Sequence, residues 1–302
     1  MKFYNYILLS MMSLGMLCSC GDEDMLIGEE IRVTDQFLPD SNDHSEVAEL
    51  RRSFYQKEKS YLLFNDTLRH EQVGVTASGE PFYHTETLDI LYSVGSTNMY
   101  ENNFVYKYLL TYDEEKESSD FLSKRILPHL GGKLRPFSWL LVDTIKKPLY
   151  EDVFEYPKVL SGERCVAIAV GRLTKAAEEE KAQLAQNLQV EVLSGALASK
   201  REMNEFYSFC QDMYDQFDFN YFQYGDHSEY TYTCGFLSKK KNPSTGMEML
   251  AHPDKSVDVS DFLLLVFNSS DEEVQAKFEN YPIVLKKYSI IKKLIVELGY
   301  VF

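Results

Sequence analysis

The chain has 302 residues, 44% hydrophobic and 14% aromatic, and carries 31 Lys and Arg against 47 Asp and Glu for a formal charge of -16. That apolar content suffices for a core, and the length suits one large domain or two small ones. A charge this negative argues against nucleic acid and anionic membrane surfaces as partners.

Residues 1–19 hold one charge, Lys2, and an apolar run from Tyr6 to Leu17. That run is shorter than the roughly 20 residues a membrane span needs and reads as a signal-peptide core. It ends Leu17-Cys18-Ser19-Cys20, which resembles the bacterial lipobox of an aliphatic residue, two small residues and a cysteine. The resemblance implies cleavage before Cys20 and lipidation of Cys20, where several acyl chains anchor a protein that one chain holds only marginally. An ordinary signal peptide with incidental cysteines is the alternative. The acidic run Gly21-Asp22-Glu23-Asp24 resembles the export signal of Bacteroidetes surface lipoproteins, which implies an outer-membrane protein facing the exterior. Cys165, Cys210 and Cys234 are too few for a disulfide framework, and Cys165 and Cys210 read as small buried hydrophobes.

Residues 20–42 form an acidic tether. A helix is expected from Asp43, with Asp43 as cap, Glu46 completing a capping box, and Val47, Leu50 and Phe54 on one face. Residues 61–66, 88–94 and 104–112 read as strands. A helix follows over 114–126, with Phe121, Leu122 and Ile126 inward and Pro128 as its stop. The apolar runs 137–145 and 165–171 suit central strands. A long helix is expected from Thr174, as cap, to about Lys200, with Leu184, Leu188 and Val192 on its apolar side. A second helix is expected over 201–217. Residues 218–235 are aromatic and irregular, and 238–256 read as an exposed loop. An apolar helix over 257–269 precedes a Ser270–Glu273 capping box, whose helix Pro282 ends. The last helix places Ile283, Tyr288, Ile291, Ile295 and Leu298 inside and four lysines outside. The plan is α+β, mixed strand and helix in the N-terminal half and mostly helical in the C-terminal half. It makes one domain, 43–302, with lobes 43–172 and 173–302.

This order of elements, the segment Gly235-Phe236-Leu237-Ser238 and the pair Asp261-Phe262 resemble the substrate-import-associated zinc metallohydrolase lipoproteins. These Bacteroidetes surface lipoproteins accompany TonB-dependent nutrient uptake and have a zincin-like fold; the resemblance covers 44–302. Their chemistry needs HExxH on a helix, with two histidines one turn apart on zinc and a glutamate activating water. The corresponding segment here is Val190-Glu191-Val192-Leu193-Ser194. Glu191 matches, Val190 has no donor atom, and the Ser194 hydroxyl is a poor zinc ligand. In the family's later EDFxE motif, Asp261 and Phe262 match while Ser260 and Leu264 replace glutamates. The resemblance therefore implies a degenerate site at Val190, Glu191, Ser194 and Asp261, with no cofactor. The implied function is a non-catalytic accessory or binding component of nutrient import. An active hydrolase with an unrecognised site and an adhesin-type surface protein are the alternatives.

None of the six histidines forms an i, i+4 pair, and GxSxG, P-loop and GxGxxG patterns are absent. The Gly pair in HLGGKL (129–134) follows a helix and reads as its C-cap. Tyr221, Phe222, Tyr224, Tyr230 and Tyr232 could stack on a glycan or anchor a peptide; packing between helix and loop is the alternative.

Overall fold

The apolar runs of the sequence become a buried sheet. The computed structural model describes residues 35–88, 90, 104–150, 153–162, 164–218, 220, 227–242, 245 and 247–302. Strands β1 (Tyr61–Leu63), β5 (Ser138–Val142), β8 (Val159–Ser161) and β9 (Cys165–Ala169) form one sheet in the order β1-β5-β9-β8. The first three strands are parallel and β8 pairs antiparallel with β9. All five residues of β5 and of β9 are buried. Side chains alternate across a strand, so burial of every residue means that both faces are covered. Trp139, Leu141, Val166 and Ile168 face the main core. Leu140, Val142, Cys165, Ala167 and Ala169 face a second one with Ile145. This is why these runs lack the polar alternation of a half-exposed strand.

Around the sheet, β2 (Thr67–Val75) and β3 (Pro81–Thr87) make an exposed antiparallel hairpin, and β4 (Val105–Lys107), β6 (Thr144–Tyr150) and β7 (Val153–Glu155) a second small sheet. The helices are α1 (Glu46–Glu58), α2 (Tyr112–Arg125), α3 (Glu178–Ala198), α4 (Met203–Ser208), α5 (His227–Thr233), α6 (Lys255–Asn268), α7 (Asp271–Phe278) and α8 (Pro282–Leu298). The main core joins the inner faces of α3, α6 and α8 to the sheet through Leu188, Leu193, Phe262, Ile291 and Ile295. Residues Gln36–Phe302 form one compact unit, and the general α+β class is that expected.

Several boundaries differ from expectation. Ser45, not Asp43, caps α1, because its hydroxyl reaches Ala48 N–H. The strand expected over 104–112 is only β4, since the Thr111–Glu114 capping box already starts α2 at Tyr112. The run 137–145 divides at Asp143 into β5 and β6. Helix α3 starts at Glu178, where Glu180 accepts from Ala177 N–H at 3.1 Å; Thr174 lies in a preceding 3-10 turn. The helix expected over 201–217 ends at Ser208. Pro282 opens α8 instead of closing α7, its fixed φ suiting a first helical position. Much of 238–256 is exposed, but Ala251 and His252 are buried. The expected strand 88–94 lies almost wholly outside the described residues.

Gly131 is no C-cap. Its N–H donates to Gly299 O at 2.8 Å, and a Cβ there would fall 2.4 Å from that oxygen. The glycine allows the loop after α2 to lie directly on the turn that ends α8.

Candidate functional site

Helix α3 runs beside β8, which among the described residues is an edge strand of the main sheet. Val192, Gly195, Ala196 and Ser199 follow the i, i+3, i+4, i+7 spacing of one helix face. With Ser161 and Gly162 at the end of β8, and Arg135 and Phe137 opposite, they line a groove of about 690 Å³. Its size and mixed lining are those of a ligand site. Arg135 is fixed within the wall by Leu130 O at 2.9 Å, Leu127 O at 3.1 Å and the Glu58 carboxylate at 3.1 Å.

Of the β8 segment, Ser161 and the adjoining Gly162 line the groove, and the Ile90 carbonyl packs against Gly162. Lys158 O accepts from Ala169 N–H and Gly162 N–H donates to Cys165 O, so residues 158, 160 and 162 bond toward β9. The intervening Val159 and Ser161 turn their N–H and C=O away from it. Among the described residues, β8 has a strand partner on one side only.

The positions corresponding to a zinc motif sit differently. At 100° per residue, Val190 and Ser194 lie on the opposite side of α3 from the groove-lining stripe. Val190 is packed in the main core. Ser194 Oγ is buried with no hydrogen-bond partner among the described residues. Glu191 lies between the two faces; partial burial alone raises its carboxyl above the ordinary glutamate value. Asp261 accepts a hydrogen bond from the Ser238 hydroxyl, and burial raises its carboxyl in spite of that bond. Among the described residues, no group of three or more His, Cys, Asp and Glu is placed to hold a metal ion.

Of the aromatic candidates, Tyr221, Phe222 and Tyr224 lie outside the described residues, as does Cys20. Tyr232 packs edge-on against Phe278 and Tyr281, with ring centroids 5.0 and 5.4 Å away. The Tyr230 hydroxyl donates to Asp218, whose carboxylate also lies 3.2 Å from His252 Nε2. Tyr230 and Tyr232 are both partly buried against the hydrophobic clusters.

One buried cluster escaped the sequence. Lys287, expected outside, and Asp258 are both 0% exposed. Lys287 Nζ donates to Asp258 Oδ1 and Oδ2 at 2.8 and 2.7 Å and to Gly235 O at 2.8 Å. The Tyr214 hydroxyl donates to Asp258 at 2.7 Å, and the rings of Phe206, Phe236 and Phe262 lie 4.5–4.8 Å from Nζ. A buried charge persists only when it is paired and hydrogen-bonded, and this one is both. The cluster unites the two short segments that carried the family resemblance: Gly235 and Phe236 touch Lys287 from one side, Phe262 from another. With no solvent access, it clamps α6, α8 and the Gly235 turn together and offers nothing to a ligand. A Lys at the heptad-like spacing of Val284, Ile291 and Ile295 was the available signal.

No protein-family model, characterised protein or solved structure matches the chain.

Proposed function

We propose that this chain is a lipoprotein anchored through Cys20 to the outer membrane, facing the exterior, that binds an extended peptide without cleaving it. It serves there as an accessory component of TonB-dependent nutrient import, with a zincin-like scaffold whose metal site has degenerated and whose C-terminal half is mostly helical. The observation that carries the reading is the contrast within α3. One face borders a groove at the end of β8, which among the described residues is paired on one side only, while the positions that a zinc motif would occupy hold a core valine and a serine hydroxyl with no hydrogen-bond partner among those residues. An extended chain laid along β8 gains main-chain hydrogen bonds from Val159 and Ser161, and side-chain pockets in the groove give selectivity. Burial raises the Glu191 carboxyl above its ordinary value.

Binding of extended peptides by the wild type and by Ala196→Trp, which fills the groove, tests the reading through fluorescence anisotropy. Ala196→Trp is expected to lose binding, and equal binding by both contradicts the groove assignment. Metal analysis of the purified protein is expected to give far less than one zinc per chain. A stoichiometric zinc contradicts the non-catalytic reading.

A further inference from the structure

The negative charge of this chain is not evenly spread. Beyond the carboxyl ends of the parallel strands β5 and β9 lies a crevice of about 490 Å³, lined by Lys107, Lys158, Arg172 and Lys175 with Asp143 and Glu114. Asp143 directly follows β5, and Arg172 comes three residues after β9. In open sheets with parallel strands, ligands bind outside the carboxyl ends of those strands.

Both carboxylates are already engaged. Lys107 Nζ is 2.7 Å from Asp143 Oδ2, to which the Thr144 hydroxyl donates at 3.0 Å. Glu114 accepts from the N–H groups of Leu110 and Thr111 at 3.0 and 3.3 Å and is part of the cap of α2. Among the described residues, Lys158, Arg172 and Lys175 have no ion-pair partner. Four cations against two carboxylates thus leave this crevice net positive in a chain whose net charge is -16, and in spite of burial Arg172 helps to hold the Asp143 carboxyl below its ordinary value.

The backbone is built tightly around the same point. Gly171 N–H donates to Asp143 O at 3.0 Å, and a Cβ on Gly171 would lie 2.5 Å from both that oxygen and Asp143 Oδ1. Arg172 follows at φ 73°, in the left-handed region that glycine adopts freely and a branched side chain does not. Non-glycine residues are uncommon in this region; Lys59 and Asp215 are the others among the described residues.

We infer that this crevice binds the phosphate or sulfate group of a small ester. Two lysine point charges and a planar guanidinium suit a compact tetrahedral oxyanion, which accepts charge-assisted bonds on several sides. The remainder of the chain repels negative charge, and at physiological salt that repulsion acts over about 8 Å. A small ester enters within the reach of the local cations, whereas an extended polyanion meets the acidic surface beyond them. The site is distinct from the peptide groove and does not rest on it.

Isothermal titration of the full chain with inorganic phosphate and, separately, inorganic sulfate at low ionic strength tests this. The wild type is expected to bind at least one of the two anions. The double variant Lys158→Ala/Lys175→Ala should bind at least about tenfold more weakly, the effect of losing charge-assisted hydrogen bonds. Arg172→Gly should weaken binding as well without lowering the melting temperature, because glycine adopts this backbone conformation without strain. Binding of either anion, or of both, that is weakened in the double variant supports the inference. Absence of binding by the wild type to both anions overturns the inference, as does unchanged affinity in the double variant.

Discussion

Lys287 and Asp258 are mutually dependent residues. If the ammonium is removed, a carboxylate remains in the core with Tyr214 as its hydrogen-bond donor. Lys287→Met is expected to lower unfolding free energy by about 3–5 kcal/mol in urea titrations, and pairing it with Asp258→Leu to restore most of that loss. A single variant within about 1 kcal/mol of wild type contradicts a paired, desolvated charge. His252 gives a pH signature. Burial holds its imidazole below the ordinary histidine value despite the attraction of Asp218, which is the charged group facing it. The unfolded chain takes up a proton near pH 6.5 that the folded state refuses. Stability is therefore complete above that pH and declines as pH falls toward the folded value. Burial also pushes the Asp218 carboxyl up, but its bonds to Tyr230, Asn220 and His252 leave it lower than usual, so its contribution is lost only in stronger acid. Melting temperatures of His252→Asn should vary less between pH 7 and 5 than those of wild type; an unchanged slope refutes this. Neither residue was legible in sequence, where a lysine counts as surface and a lone histidine has no visible partner. Asp258 lies 29 residues from Lys287 and Asp218 lies 34 from His252.

Elements were legible where local pattern and tertiary surroundings agree. The runs around Trp139 and Val166 read as central strands because burial on both faces leaves them continuously apolar. The Ser270–Glu273 capping box is present as read, with reciprocal bonds of 3.2 and 2.8 Å. Residues 201–217 misled because their apolar spacing is helical while their partners are not on one side. Tyr214 must reach Asp258 and the Cys210 thiol must reach Cys234 O at 3.2 Å, so the chain proceeds through i to i+3 turns to a left-handed Asp215. The junction between the α2 loop and α8 offers a test at this scale. A Cβ on Gly131 meets the Gly299 carbonyl oxygen at 2.4 Å, whereas one on Gly132 meets nothing within 4 Å. Gly131→Ala should therefore cost about 1–3 kcal/mol in equilibrium unfolding, as overpacking does. Gly132→Ala should be nearly neutral, and equal effects would refute the close approach as the reason for this glycine.

At the scale of the whole molecule, the α+β class could be read from the sequence, but the groove could not. Its walls come from the loop around Arg135, the end of β8 and the C-terminal half of α3, segments that only the folded sheet brings together. The VEVLS segment was informative for what it lacks, yet the face of α3 that borders the groove is a different one. Val192, Gly195 and Ala196 contribute shape instead of donors, and the Ser199 hydroxyl donates to Ala196 O at 3.3 Å, so none carries chemistry that a motif search would mark. The lipid-anchor reading rests on Leu17-Cys18-Ser19-Cys20, outside the described residues. Under the proposed function, the groove binds an extended peptide and leaves it whole. Mass spectrometry of peptides recovered from the protein after prolonged incubation with a defined mixture tests that claim directly. Intact peptides are expected, enriched on wild type and depleted on Ala196→Trp; truncated products made by the wild type, or equal recovery from both proteins, would rule out peptide binding without cleavage in this groove.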